Sequence, residues 1–221
     1  MDEPTRSDAT TTDSRASALL KRAHESHYRW PSTFPGFTAE VTVTSDTGRS
    51  TARLHVMRGG GSAVRRTGGD ELSSTSAAEV VALASRLTTK SYDDLDGRYG
   101  GRFRTRLDRN AATAVVLVGD PRHTVRWISD DRLVETEFDF EGAHHTIGVV
   151  STAHAPDGRW LPAVTWERRD GADGESCRDV VEEWTEIDGV MLPVRRTLVV
   201  AGDSPQPVEV VVSEHRVLPV R

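Results

Sequence analysis

The chain has 221 residues, of which 36% are hydrophobic and 28% charged, and a formal net charge of -6. No apolar run approaches the roughly 18 residues that a membrane span requires, so no transmembrane segment is expected. With 28 Lys+Arg against 34 Asp+Glu and no clustered basic field, nucleic acid is not an expected partner.

One cysteine, Cys177, excludes an intrachain disulfide and an all-cysteine metal site. The segment from Met1 to Ser14 is polar, with no apolar core of a secretory signal, and this points to a cytoplasmic address. Residues 1–12 are rich in Thr, Ser and Asp without periodicity and read as a disordered tail. The remainder, 13–221, reads as one domain.

Ala16, Leu19, Leu20, Ala23, His27 and Trp30 recur at steps of three and four, which predicts a helix near 13–30 with one apolar stripe. Thr12 or Asp13 can cap it, and Pro31 ends it. Phe37, Ala39, Val41 and Val43 alternate with polar residues, as do Ala52, Leu54 and Val56 after Ser45-Asp46-Thr47-Gly48, so a β-hairpin follows. A third, poorly buried strand is expected around Val64-Arg65-Arg66, between glycine clusters. A second helix near 76–90 is marked by Ser76 and Glu79 at capping-box spacing, with Ala77, Val80, Val81, Ala84 and Leu87 on one face. Asp93 to Gly101 reads as a loop.

From Arg102 onward there are only apolar or alternating runs, separated by turns such as Gly119-Asp120-Pro121, Glu141-Gly142 and Asp188-Gly189. This is the pattern of a long antiparallel meander. About ten or eleven strands cannot lie flat. The expected fold is therefore α+β and β-rich, the meander curled into an open barrel around two helices.

The run from Ala23 to Trp30, followed by Phe34-Pro35-Gly36-Phe37-Thr38-Ala39, resembles the opening of an uncharacterised family found in cyanobacteria, plants and actinobacteria. The segment from Glu183 to Pro193 resembles that family's late hairpin. It is also similar, more loosely, to hairpins in the curved sheets of periplasmic lipoprotein carriers. The resemblance implies a lipoprotein-carrier-like sheet and brings no activity with it. Where the commoner form of the family has an arginine before the tyrosine, this chain has His27.

Eight histidines supply the first candidate chemistry. His24 and His27, three apart on a predicted helix, can reach one metal ion, and His145, with Ile147 and Val149 on its strand face, is the better inward candidate of the His144-His145 pair. His154 and His123 could reach the same mouth from loops. A metal set of His24, His27, His145 and His154 would hold a transition metal or a haem iron. The competing reading makes His27 a hydrogen-bonded core residue, leaves His24 exposed and puts the others on turns.

Nucleophilic catalysis has little support, because no Gly-x-Ser-x-Gly elbow occurs and Cys177 reads as a packed thiol. Glu135, Glu137 and Asp139 alternate with Val134, Thr136, Phe138 and Phe140 and read as a solvated strand face. The second candidate chemistry is an apolar pocket. Trp127, Trp160, Trp166 and Trp184 lie in predicted strands and Trp30 prolongs the helix stripe, so these rings can line the concavity and bind a hydrophobic small molecule or lipid. Two functions follow: a binding protein for an apolar molecule or acyl chain, and a metal- or haem-dependent enzyme using the histidines at the same cavity.

Overall fold

A computed structural model of the chain describes residues 12–46, 48–59, 61–69, 74–85, 87, 89–104, 112–200 and 207–219. The tail expected over 1–12 lies outside them except for Thr12. Two helices, α1 (Ser14–Ser26) and α2 (Ser74–Ser85), accompany twelve strands. These are β1 (Gly36–Ser45), β2 (Gly48–Met57), β3 (Ser62–Gly69), β4 (Gly100–Phe103), β5 (Thr113–Val118) and β6 (Val125–Ser129), then β7 (Arg132–Phe140), β8 (Ala143–His154), β9 (Trp160–Gly171), β10 (Gly174–Ile187), β11 (Val190–Val200) and β12 (Val208–Val217).

The strands form one sheet in the order β3-β2-β1-β12-β11-β10-β9-β8-β7-β6-β5-β4. The fold is thus the expected β-rich α+β meander, in which β1 closes back onto β12 and the order ends at β3 and β4. The sheet is not closed. Short two-residue turns set the registers: Asp130-Asp131, Glu141-Gly142 and Asp188-Gly189 all have positive φ, as hairpin turns matched to strand twist require.

The chain forms two compact units, each discontinuous in sequence. Unit 1 holds the described residues of Met1–His27, Ser91–Val150 and Glu167–Ser176; unit 2 holds those of Tyr28–Lys90, Ser151–Trp166 and Cys177–Arg221.

In unit 1, α1 starts where the side chain of Asp13 accepts a hydrogen bond from the Arg15 N–H at 2.8 Å, and that bond holds the Asp13 carboxyl below its ordinary range. Its buried stripe of Ala16, Leu20 and Ala23 packs with Val115, Leu117 and Ile128 of β5 and β6. Ser26 Oγ donates to the Asp131 carbonyl at 2.6 Å and Arg22 Nε to the Asp131 side chain at 2.9 Å, tying α1 to the β6–β7 turn.

Three expectations about elements need correction. The first helix stops at Ser26 rather than near Trp30, because His27 turns extended and the Tyr28 N–H donates to the Trp160 carbonyl at 2.8 Å. Residues 93–101 are not all loop, since Gly100 and Gly101 pair with Val118 and Leu117 in β4. Gly101 is required there: a Cβ would lie 2.9 Å from Ser17 N of the helix above it. The second helix covers Ser74–Ser85, so Ser76 lies inside it and Glu79 is not a capping partner.

In unit 2 the alternation of β1 and β2 is regular. Phe37, Ala39, Val41 and Val43 of β1, with Ala52, Leu54 and Val56 of β2, are buried, while Arg53 and His55 are exposed and Glu40 pairs with Arg53 on the opposite face. The buried face continues through Val210 and Val212 of β12 and Leu192 of β11. Val80, Leu83, Ala84 and Leu87 join it from the α2 segment. Val80, Ala84 and Leu87 of the expected face are buried, with Leu83 added to them, Ala77 is half-buried and Val81 is exposed.

Candidate functional site

The buried face of unit 2 carries one group that apolar packing does not explain. Glu182 and Arg196 are directly opposed on β10 and β11, and the Arg196 Nη1 donates to Glu182 Oε1. Arg196 Nε donates to Glu79 Oε2 of α2 at 3.1 Å, and Arg178 Nη1 donates to the other oxygen, Oε1, at 2.7 Å. The Arg196, Glu182 and Glu79 side chains are 2%, 1% and 5% exposed, whereas that of Arg178 is 34% exposed and reaches solvent. Two guanidinium groups balance two carboxylates. Burial of these charges is tolerable only because they are paired and hydrogen-bonded. Glu79 sits in the stripe formed by Ser76, Val80, Leu83 and Ala84, so the same side of α2 that supplies apolar contact also supplies the carboxylate.

Several aromatic residues are fixed by their polar ends. Trp30 is buried and its Nε1 donates to the Met191 carbonyl at 3.0 Å; the Met191 N–H in turn donates to Tyr28 Oη at 3.0 Å. Burial pushes the Tyr28 phenol above its ordinary value. Trp184 packs at the margin of the unit 2 core and its Nε1 donates to the Pro162 carbonyl at 3.1 Å. Trp160 is buried and Trp166 half-buried, both in unit 2. Trp127 belongs to unit 1, where it packs with Ala112, Ala114 and Val125 and donates from Nε1 to Glu137 Oε1 at 2.9 Å.

The histidines are held in several separate settings. His24 is buried on α1 with its ring edge-on to Tyr92, the centroids 5.7 Å apart, and His27 caps the end of that helix. His145 stacks on Phe138 of the neighbouring strand at 5.0 Å. His154, exposed, has its Nδ1 3.3 Å from the Gly158 carbonyl of the β8–β9 turn. Among the described residues, no group of three or more His, Cys, Asp or Glu side chains is arranged to hold a metal ion.

Sequence reasoning did not anticipate the setting of His123 and His144. Their Nδ1 atoms lie 3.0 and 2.9 Å from the two oxygens of Asp139, which joins the β5–β6 loop, β7 and β8 in unit 1. The bond to His144, and then that to His123, holds the Asp139 carboxyl below its ordinary range. Nor is the acid row of β7 simply solvated: Glu137 takes the Trp127 indole and Arg104, and Glu135 and Glu137 are half-buried. Cys177, expected to be packed, is exposed on β10.

His215 gives a pH-dependent signature in unit 2. Its Nε2 donates to the Pro193 carbonyl at 2.8 Å, its ring lies 5.9 Å from that of Phe37, and burial pushes its pKa below the ordinary 6.5. A histidine whose folded pKa is depressed adds stability above its unfolded pKa and loses it as pH falls through the folded value. His215→Gln keeps a donor but does not titrate. Its melting temperature is expected to fall less than that of the native chain between about pH 7 and about pH 5, as measured by thermal unfolding followed by circular dichroism. Equal pH slopes for the two proteins would contradict this assignment.

The chain is thus a β-rich α+β protein built on an open antiparallel meander, with a helix-covered apolar face in unit 2. It belongs to the family described as protein of unknown function (DUF3386), whose profile matches residues 11–218. No curated protein matches it.

Among solved structures it is similar to a LolA superfamily protein, NE2245 of Nitrosomonas europaea. The identity is 17% and the TM-score 0.35, with 96% of each chain covered. It is also similar to a chain of the Pseudomonas aeruginosa MucA/MucB complex, at 11% identity and a TM-score of 0.27, covering 93% of this chain and 100% of that one. Among the described residues, no helix is long and apolar enough to cross a membrane.

Proposed function

We propose that the protein binds an apolar small molecule or acyl chain on the inner face of the unit 2 sheet, in the space that α2 now covers. The observation carrying this reading is a continuous apolar face that runs through β1, β2, β11 and β12 and includes Phe37, Val41, Leu54, Leu192 and Val212. Its helical cover among the described residues is a single helix of 12 residues, α2. A helix this short owes its stability to the face it packs on rather than to its own hydrogen bonds. It rests on that face through Val80, Leu83 and Ala84 plus one carboxylate, with Leu87 just beyond it, and an acyl chain offers the sheet apolar contact of the same kind.

Binding is tested by extracting the purified protein with organic solvent for mass spectrometry, and by titrating it with an apolar fluorescent probe. Co-purifying lipid, or saturable probe binding that quenches Trp30 and Trp184 emission, is the expected result. Stripped protein that shows no saturable uptake of the probe would remove the proposal.

A further inference from the structure

We propose that the ligand is an anionic amphiphile whose carboxylate takes the position Glu79 now holds between Arg178 and Arg196. This rests on the reading of unit 2 as an apolar-ligand site and specifies the chemistry of the ligand's head.

Glu79 presents its two oxygens to two different arginines, at 2.7 Å from Arg178 Nη1 and 3.1 Å from Arg196 Nε. This is an arrangement that recognises a carboxylate as a unit, since charge-assisted bonds to both oxygens fix its position and orientation. Arg196 is pre-set for the task. Its Nη1 is engaged by Glu182 across the sheet, so the guanidinium keeps its place when the partner on Nε is exchanged. Arg178 is partly exposed, so a charged head can approach it from solvent without crossing the apolar interior.

Next to this carboxylate, α2 places Val80, Leu83 and Ala84 on the sheet. The helix therefore presents a negative head attached to an apolar body. An ionised fatty acid has the same two parts, and exchanging one for the other leaves two positive and two negative groups in the cluster. A neutral lipid offers the apolar part alone and would give neither Arg196 Nε nor Arg178 Nη1 a replacement for the carboxylate they now share, at a cost for the buried Arg196 charge. Carboxylate against alcohol at the end of one acyl chain is the discriminating comparison.

The experiment measures displacement of an apolar fluorescent probe by oleate and by oleyl alcohol, below their aggregation thresholds. The proteins compared are the native chain, Glu79→Gln and Arg178→Gln. The native chain is expected to favour oleate by about ten-fold, the scale of one hydrogen bond to a charged group. Glu79→Gln removes the competing carboxylate and is expected to bind oleate more tightly still, while Arg178→Gln brings acid and alcohol towards parity.

Equal affinity for acid and alcohol in the native chain, or a preference for acid that survives Arg178→Gln unchanged, would overturn the carboxylate assignment while leaving apolar binding intact. Failure of both ligands to displace the probe, with no saturable probe binding, removes the proposed function itself. If Glu79→Gln does not fold, the native chain and Arg178→Gln decide the matter.

Discussion

Arg196→Ala is expected to destabilise the protein by about 3–5 kcal/mol, the usual result of removing one partner from a buried ion pair. The argument is electrostatic before it is steric. Arg196 bonds both Glu79 and Glu182, and it is among the largest fully buried side chains. Without it, two buried carboxylates share a low-dielectric region, and Arg178, which also pairs with Glu79, is partly exposed and screened by solvent. The cavity left by the side chain adds to the loss.

The same reasoning predicts a compensated variant. Replacing Arg196 by Met together with Glu79 and Glu182 by Leu removes the three buried charges and leaves the partly exposed Arg178 to solvent, and is expected to recover most of the lost stability, because apolar side chains of similar volume can replace a buried ion cluster. Urea denaturation midpoints for the native chain and the two variants check both statements. A loss below about 1 kcal/mol for Arg196→Ala, the scale of an exposed pair, would show that the cluster is solvated in solution.

The buried cluster also marks where sequence reasoning stops. Glu79 looked like a capping residue because Ser76 precedes it by three positions, a spacing that arises in any helix that needs two polar residues on one face. Its actual partners, Arg178 and Arg196, are 99 and 117 residues away, and nothing local announces the pairing. The acids of β7 present the same difficulty. Alternation placed Glu135, Glu137 and Asp139 on one face correctly, but a face is solvated or occupied according to what the adjacent strands bring, here Trp127, His123 and His144.

Elements governed by local chemistry were legible. Asp188-Gly189 and Glu141-Gly142 fix hairpins by their own backbone preferences, and the one-sided burial of β1 and β2 follows the period-two pattern residue by residue. Elements set by tertiary demand were not. Gly100-Gly101 reads as a break in a sequence but serves in β4 as the place where α1 comes within contact of the sheet. The helix stripe seemed to continue to Trp30, yet the chain leaves the helix at His27 so that Tyr28 and Trp30 can grip Met191 from both sides. The burial of Trp30 was foreseeable from its type, but its backbone conformation depended on a partner 161 residues later.

Gly36→Ala is expected to cost at least about 3 kcal/mol and to reduce the yield of folded protein, for two independent reasons. Gly36 has φ +101, a conformation in which an alanine is strained wherever it stands. A Cβ built on it would also lie 2.1 Å from the Val56 carbonyl oxygen, well inside contact distance and against backbone rather than a movable side chain. Relief requires β1 and β2 to separate at Gly36–Met57 and Phe37–Val56, the pairs that begin the buried face. The Gly36 carbonyl meanwhile accepts a hydrogen bond from the Leu218 N–H at 3.0 Å, so shifting this residue also loosens the join between β1 and the end of β12. The Phe34-Pro35-Gly36-Phe37 motif thus has a stated mechanical role, turning the aromatic segment sharply onto the first strand of unit 2. Pro35→Ala offers the control: Pro35 is half-buried, and its replacement frees φ without adding a Cβ. Thermal unfolding of the two variants side by side should show a large loss for Gly36→Ala and a small one for Pro35→Ala; comparable losses would mean that rigidity of the turn, and not the approach of the two backbones, is what the motif supplies.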